Sequence, residues 1–333
     1  MIRALGTIYG AAATWRRRWY ARHPERQRRL ARPVISVGNL GVGGSGKTPL
    51  VEYIARLLAG AGERPSILTR GYGRKMAAPG ATVVSDGAHV LGCVDEAGDE
   101  PFMLARALEG LGVAVVVGAD RYVCGLVAEN RLGATLHILD DGFQHSGLAR
   151  DVDLLATSEQ DLLDQPMPAG RLREALAGAS DADAALVEAG YLPAAERVGR
   201  ALGVGTVFRV TRALEPPRMV RTNETVVVPS GSRVFAFAGI ARPERFFSDL
   251  AAGGWDVVDT LAFRDHHRFT RADLRRIERK ARKAAAAIVL TTAKDAVRLA
   301  PDDLGDLPVA RVPLAAAIEP EEEFLAWLRG RLP

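Results

Sequence analysis

The chain has 333 residues, of which 48% are hydrophobic and 25% charged, a composition that suits a soluble globular body of two domains and excludes a disordered chain. Two cysteines, Cys93 and Cys124, are too few for a disulfide framework or a cysteine-rich metal cluster, and they point to a reducing cytosolic setting. The formal charge of +4 divides unevenly: residues 1–32 hold nine arginines and one acid, a net of +8, so the other 35 basic and 39 acidic side chains net −4.

The basic arm is patterned. Ile2, Leu5, Ile8, Tyr9, Ala12, Trp15 and Trp19 recur at helical spacing within an arc of about 140° at ~100° per residue. Arg3, Arg17, Arg18 and Arg22 lie outside that arc; Arg16 does not. Tryptophan and tyrosine beside arginine suit a helix lying flat in the headgroup layer of a membrane. A signal peptide fits poorly, because the basic cluster follows the apolar positions and those positions are periodic. The alternative is a first helix packed on its own domain with its arginines in solvent. No apolar run reaches 18 residues, so no helical span is expected.

From Pro33 onward, short β-branched runs alternate with helical stretches. "PVISV" (33–37) reads as a strand entering a glycine-rich turn, and Pro49–Ala59 as the helix after it. Further strands are expected at 66–69, 81–85, 113–117, 136–140, 151–157 and 184–189, with helices near 100–110 and 120–131. Near-continuous apolar strands belong to a parallel sheet covered on both faces. A second series follows: strands at "RVFAFAG" and "WDVVDTLAF", a helix from Pro243, a helix capped by Thr270 and Asp273, the strand "AAIVLTT" and a closing helix over "EPEEEFLAWLRGRL". The expected fold is α/β. A basic amphipathic helix (1–32) precedes a nucleotide-binding domain with a parallel sheet (33–212), a link (213–230) and a smaller α/β domain (231–333).

"GVGGSGKT" satisfies the phosphate-cradling pattern G-x-x-x-x-G-K-[ST] between a strand and a helix. Gly41, Gly43, Gly44, Ser45, Gly46, Lys47 and Thr48 are therefore the expected nucleotide-binding residues. Backbone N–H groups and the helix N-terminus would cradle phosphates, Lys47 would reach the β/γ-phosphates, and Thr48 would offer its hydroxyl to Mg²⁺. "LHILDDGFQH" supplies Asp140 and Asp141 at a strand end, and one of them, directly or through water, is expected to hold Mg²⁺. A guanine-nucleotide switch is disfavoured. "TTAKDAVRL" puts Asp295 directly after Lys294, which is the wrong spacing for N-K-x-D, and neither paired acid makes D-x-x-G with Gly142.

The ordered set "PVISVGNLGVGGSGKTPLVEYIA", "LTRGYGR", "GDEPFMLA", "LDDGFQH", "PAGRLRE", "FAGIARPERFF", "DHH" and "TTAKDAVRL" resembles the tetraacyldisaccharide 4′-kinases, membrane-associated enzymes of lipid A biosynthesis in Gram-negative bacteria. The resemblance implies a two-domain P-loop kinase that moves the γ-phosphate of ATP, with Mg²⁺, to the 4′-hydroxyl of a tetraacylated disaccharide 1-phosphate, giving lipid IVA. It also implies a peripheral enzyme on the cytoplasmic face of the inner membrane, with no nucleic acid and no obligate protein partner. By the same resemblance Asp99 is the candidate base, assisted by His266 of the Asp265-His266 pair, with His267 as the alternative, and Lys47 completes the catalytic set. Arg70, Tyr72, Arg74, Gln144, His145, Arg171 and Glu174 lie in the other matching blocks and are the candidate substrate contacts; the role of Lys294-Asp295 stays open. The competing reading is a membrane-peripheral NTPase switch or assembly factor.

Overall fold

Strands covered on both faces have no solvent side to alternate with, so they are built from unbroken runs of small and β-branched residues. In a computed structural model of the chain, which describes residues 2–42, 46–76 and 80–333, this holds for the strands that carry the phosphate loop and its neighbours. The chain opens with α1 (Ile2–Arg22) and enters β1 (Val34–Gly38). It continues through α2 (Lys47–Gly60), β2 (Pro65–Thr69), β3 (Ala81–Gly87), α3 (Val94–Ala97), α4 (Asp99–Ala107), β4 (Val113–Gly118), α5 (Arg121–Leu132), β5 (Leu136–Asp140) and β6 (Val152–Ser158). Then come β7 (Ala184–Glu188), α6 (Leu192–Leu202), β8 (Val207–Leu214) and the two-residue β9 (Arg218–Met219). The second series is β10 (Arg233–Ala238), α7 (Pro243–Ala252), β11 (Asp256–Ala262), α8 (Arg271–Lys283), β12 (Ile288–Thr292), α9 (Ala293–Ala296) and β13 (Val309–Val312), and β14 (Leu314–Glu319) and α10 (Glu321–Arg329) close the chain.

Nine strands form the large sheet in the order β14-β8-β7-β6-β1-β5-β2-β4-β3. Seven are parallel, and β14 and β3 run antiparallel at the two edges. On one face α2, α4 and α10 bury Ile54, Leu58, Leu104 and Phe324; on the other, α5 buries Cys124 and Ala128 and α6 buries Val198 and Leu202. The smaller sheet, β11-β10-β12-β13-β9, carries α8 on one side and α7 on the other. The expected α/β architecture with helices on both faces of a parallel sheet is therefore the observed one.

The expected boundary of 231–333 is corrected at its far end. β14 pairs with β8 from Leu314↔Leu214 to Glu319↔Arg209, and α10 places Phe324 and Leu328 in the core of the large sheet, with Phe324 edge-on to Phe208. The smaller unit is thus inserted between β8 and β14. "LAAAIE" gave no strand signal because alanine is depleted in strands; cross-strand pairing and burial of Ile318 outweigh that preference.

The first helix corrects the alternative reading of the arm in two respects. It does pack on the body, through a stripe of Gly6, Gly10, Thr14 and Arg17 and not through its apolar arc. A Cβ on Gly6 would lie 2.6 Å from the Pro166 carbonyl oxygen, and one on Gly10 would lie 3.0 Å from the Pro166 ring, so only glycine permits this approach. Arg17, expected in solvent, is buried. It ion-pairs with Glu174 (3.3 Å) and Asp181 (3.0 Å), donates to the Gly178 carbonyl and stacks over Phe143 at 4.3 Å. The arc itself faces solvent: Ile8 is 67% and Trp15 68% exposed, and Ile2, Leu5 and Tyr9 are exposed as well.

Because α10 completes the core of the large sheet, Phe324→Ala should lower stability by about 3–5 kcal/mol and Leu328→Ala by about 2–5 kcal/mol in urea denaturation. Losses under about 1 kcal/mol would mean that the helix is dispensable to that core.

Candidate active site

Lys47 begins α2 directly behind Gly46, whose φ of +70° is the left-handed conformation that glycine adopts without strain. No side chain caps this helix start. Its orphan N–H groups and its positive dipole end are therefore available to an anion. The expected Gly43, Gly44 and Ser45 lie outside the described residues. Gly41 pairs with Leu172 in an isolated bridge, and Val42 and Leu40 bond the backbone of Arg171 and Arg173, so the segment 171–173 is zipped to the start of the loop. The Lys47 ammonium donates to Asn39 Oδ1 at 2.6 Å and to Asp141 Oδ1.

The two adjacent acids divide their roles. Asp141 adopts φ +57° and is taken up by Lys47 on one oxygen and by Arg173 Nη1 at 2.7 Å on the other. Burial works against its ionisation, but Lys47 and Arg173 overcome this and hold the carboxyl below its ordinary range. Asp140, at the end of β5, is almost fully buried and accepts a single hydroxyl bond from Thr69 (3.1 Å). Burial, reinforced by Glu100 and opposed by Lys47, pushes it up to about 6. A hard dication completing its shell with water and phosphate oxygens needs only one or two carboxylates. Asp140 with the Thr48 hydroxyl fits that donor set, whereas both oxygens of Asp141 are already held by cations. Among the described residues no cluster of three acids, histidines or cysteines forms a closed metal cage.

On the opposite wall, the two sheets meet through an acid–histidine pair. Asp99 opens α4, where the helix N-terminus favours its charge, and Oδ2 lies 2.8 Å from His266 Nδ1 on the loop after β11. Arg298 Nε stands 3.3 Å from the same oxygen. His266 has φ +57°, and its ring lies 5.2 Å from that of Tyr72. His267 turns away into the smaller unit: it bonds Asp273 at 3.1 Å and stacks on Phe263 at 4.6 Å. Of the two histidines, His266 is the one that faces Asp99. Asp295 is wholly buried and fixes the loop, accepting from Gly239 N–H, the Thr292 hydroxyl and Arg298.

Between the two walls lies a cleft of about 1500 Å³, lined by Lys47, Thr48, Asp140, Asp141, His266 and Lys294 among others. Of the expected substrate contacts, Arg70, Tyr72, Gln144 and His145 also line it. Burial and the nearby Arg121 and Arg150 depress His145 to about 4, so it is neutral at physiological pH. Three expected contacts do not reach the cleft. Arg171 pairs with Asp164 at 2.7 Å beside a separate small pocket; Arg74 is half-buried against Gly71; Glu174 is buried and joins Gln144 (2.9 Å) to Arg17. Arg173, two residues from the expected Arg171, faces Asp141 and Gln144 instead. Arg121, Arg212 and Asn39 also contribute without a motif to announce them. Arg212 lies 3.1 Å from where a Gly46 Cβ would be and bonds Glu188, which also binds Arg245 of α7.

Comparison with known proteins supplies the family. The family model for tetraacyldisaccharide-1-P 4′-kinase matches residues 1–333. The tetraacyldisaccharide 4′-kinase of Syntrophus aciditrophicus is 35% identical over 97% of this chain and 90% of its own. That of Geobacter metallireducens is 40% identical over 90% and 88%, respectively. The crystal structure of Aquifex aeolicus LpxK in complex with ATP superposes with a TM-score of 0.78 at 31% identity, covering 99% of this chain and 98% of that one.

Two outcomes test the assignments. Arg173→Ala should cost roughly 10²-fold in turnover, as loss of one charge-stabilising donor does, while Arg171→Ala stays within a few fold. Equal defects would remove the distinction. Asp140→Asn should stabilise the protein. A raised folded-state pKa means that the native state binds more protons than the unfolded chain between about 4 and 6, so stability falls across that window and the cost persists above it. The variant should therefore gain up to about 3 kcal/mol at pH 7.5, lose that gain below about pH 4, and lose Mg²⁺-dependent turnover. A thermal melt series in pH checks the sign.

Proposed function

From a chain that belongs to the tetraacyldisaccharide-1-P 4′-kinase family, we infer an enzyme that transfers the γ-phosphate of ATP to the 4′-hydroxyl of a tetraacyldisaccharide 1-phosphate, giving the bis-phosphorylated lipid IVA. The observation that carries this reading is the placement on one cleft of a phosphate-loop lysine and of His266, which pairs with the largely buried Asp99 of the other unit. Such a cleft brings a phosphoryl donor and a hydroxyl acceptor together with water displaced, which a kinase requires if it is not to hydrolyse its nucleotide.

In this reading Lys47 holds the β/γ-phosphates and offsets the charge that develops during transfer, and Asp141 and Asn39 aim its ammonium. Asp140 and Thr48 would hold Mg²⁺, which when bound would supply positive charge against the phosphates. Asp99 accepts the proton of the attacking hydroxyl, oriented by His266. Arg173, Gln144, Arg121 and Arg70 form the polar wall against which the sugar and its 1-phosphate lie. Among the described residues no helix is long and apolar enough to cross a membrane. The exposed arc of α1, with Trp15 and Tyr9 beside its arginines, instead suits a peripheral position on the cytoplasmic face of the inner membrane, where an acylated acceptor resides.

The deciding experiment incubates the protein with labelled ATP and the disaccharide 1-phosphate in detergent micelles. A labelled lipid is expected, and Lys47→Ala should reduce it by roughly 10²–10³-fold in a folded protein. Free phosphate alone would indicate an NTPase switch. The arm is tested by Ile8→Ser with Trp15→Ser, both solvent-facing, which should weaken co-sedimentation with anionic vesicles and leave turnover on micellar acceptor within a few fold. Unchanged vesicle binding would end the membrane role of α1.

A further inference from the structure

Lys294 begins no motif that the phosphate loop explains, yet its ammonium sits where the two units touch. Nζ lies 2.9 Å from Glu100 Oε1 of α4, 3.5 Å from Asp265 Oδ1 and 3.4 Å from His266 Nε2. An ammonium has three N–H donors and no acceptor, and these are its three partners. Burial alone would drain its charge, but Glu100 and Asp265 outweigh that and hold the lysine above its ordinary value. The group facing Nε2 is therefore a cationic donor.

We propose that Lys294 is a positioning residue that caps His266 Nε2, fixing the ring as the neutral Nδ1–H tautomer, so that Asp99 Oδ1 and not the imidazole takes the acceptor's proton. This rests on the kinase reading for its chemical consequence and on geometry alone for the tautomer. An Nε2–H ring, or an imidazolium, would set a ring N–H against the Lys294 ammonium. Asp265, the other carboxylate near Nε2, is 3.8 Å away, beyond a hydrogen bond. With Nε2 occupied, Nδ1–H donates to Asp99 Oδ2, which also faces Arg298. The groups around the ring are thus Asp99 and Glu100 from α4, Asp265 on its own loop, Lys294 and Arg298 from the region after β12, and the Tyr72 ring. Oδ1 of Asp99 is the oxygen that these contacts leave open, on a carboxyl group oriented through Oδ2. When the sugar hydroxyl attacks the γ-phosphorus, its O–H bond breaks toward Oδ1, the new O–P bond forms, and the bond to the ADP leaving oxygen breaks. The same ammonium ties α4 to the smaller unit, so the ring is set only when the cleft walls are together.

The test is the long-range ¹⁵N–¹H spectrum of the histidine rings in the full-length protein, with His266 assigned by its loss in His266→Asn. An Nδ1–H pattern at neutral pH is expected. In Lys294→Met the ring keeps Nδ1–H toward Asp99 but, left among Asp99, Glu100 and Asp265 without the cation, should take up a second proton on Nε2, and kcat should fall about 10–100-fold with the KM for ATP little changed. His266→Asn keeps a donor near the Nδ1 position, and asparagine tolerates a positive φ, so it should retain at least tenfold more activity than His266→Gln, whose amide lies nearer Nε2. An Nε2–H or doubly protonated ring in the wild type overturns the proposal, as does a Lys294→Met protein with unchanged ring protonation, even if its melting temperature drops. An Nδ1–H ring in a protein that labels no lipid would support the tautomer assignment and sink the kinase reading.

Discussion

A run of partly to fully buried side chains, charged but for Gln144, sets the geometry of the site. Lys47 meets Asp141, Asp141 meets Arg173, Arg173 meets Gln144, Gln144 meets Glu174, and Glu174 meets Arg17 of the first helix. A charge removed from water needs an opposite partner and filled hydrogen-bonding positions, and each member here supplies one for the next. The phosphate-loop lysine is thereby aimed by a network whose far end is the helix with the exposed apolar arc. Removing Arg17 would leave Glu174 buried without its cation, whose pull now opposes the rise that burial imposes on that carboxyl.

The second constraint is topological. The smaller unit leaves the large sheet at Leu214 and returns at Leu314, neighbours in the β8–β14 ladder. Both of those residues line the cleft. Two strands at one point permit a hinge but not free tumbling, so ion pairs across the gap, such as Lys294 with Glu100 and Arg245 with Glu188, decide how the walls stand.

Much of this was legible in the sequence, for identifiable reasons. Lys47, Thr48 and the adjacent pair Asp140 and Asp141 could be named as candidates because the chemistry of a phosphate loop demands those residue types in that context. His266 could be named beside Asp99 only through a family resemblance, since 167 positions separate them and no periodicity links them. Arg171 was preferred over Arg173 because a motif marks a block and not the side chain that turns inward; only the pairing of Arg171 with Asp164 separates them. The periodicity of the arm marked its apolar arc but not the face that packs, because glycines allow backbone approach and let a buried arginine serve as the anchor. β14 was invisible because its identity as a strand lies in its partner and not in its alanines.

The return of the chain to β8 also bears on how the molecule is made. β14 and α10 follow the inserted unit in the chain, so the outer edge of β8, with Phe208 and Val210, waits unpaired while about a hundred residues of that unit are synthesised, ~5–20 s at common elongation rates. The inserted unit draws its own sheet and cores from contacts within residues 218–312 and can condense during that interval. The large sheet, although its first strand emerges early, reaches its final form only once residues 314–329 have followed. An open strand edge above an incomplete apolar core is the kind of surface that pairs with other chains. A nascent chain stalled in the inserted unit therefore presents this hazard, and a chain released with its terminal helix does not.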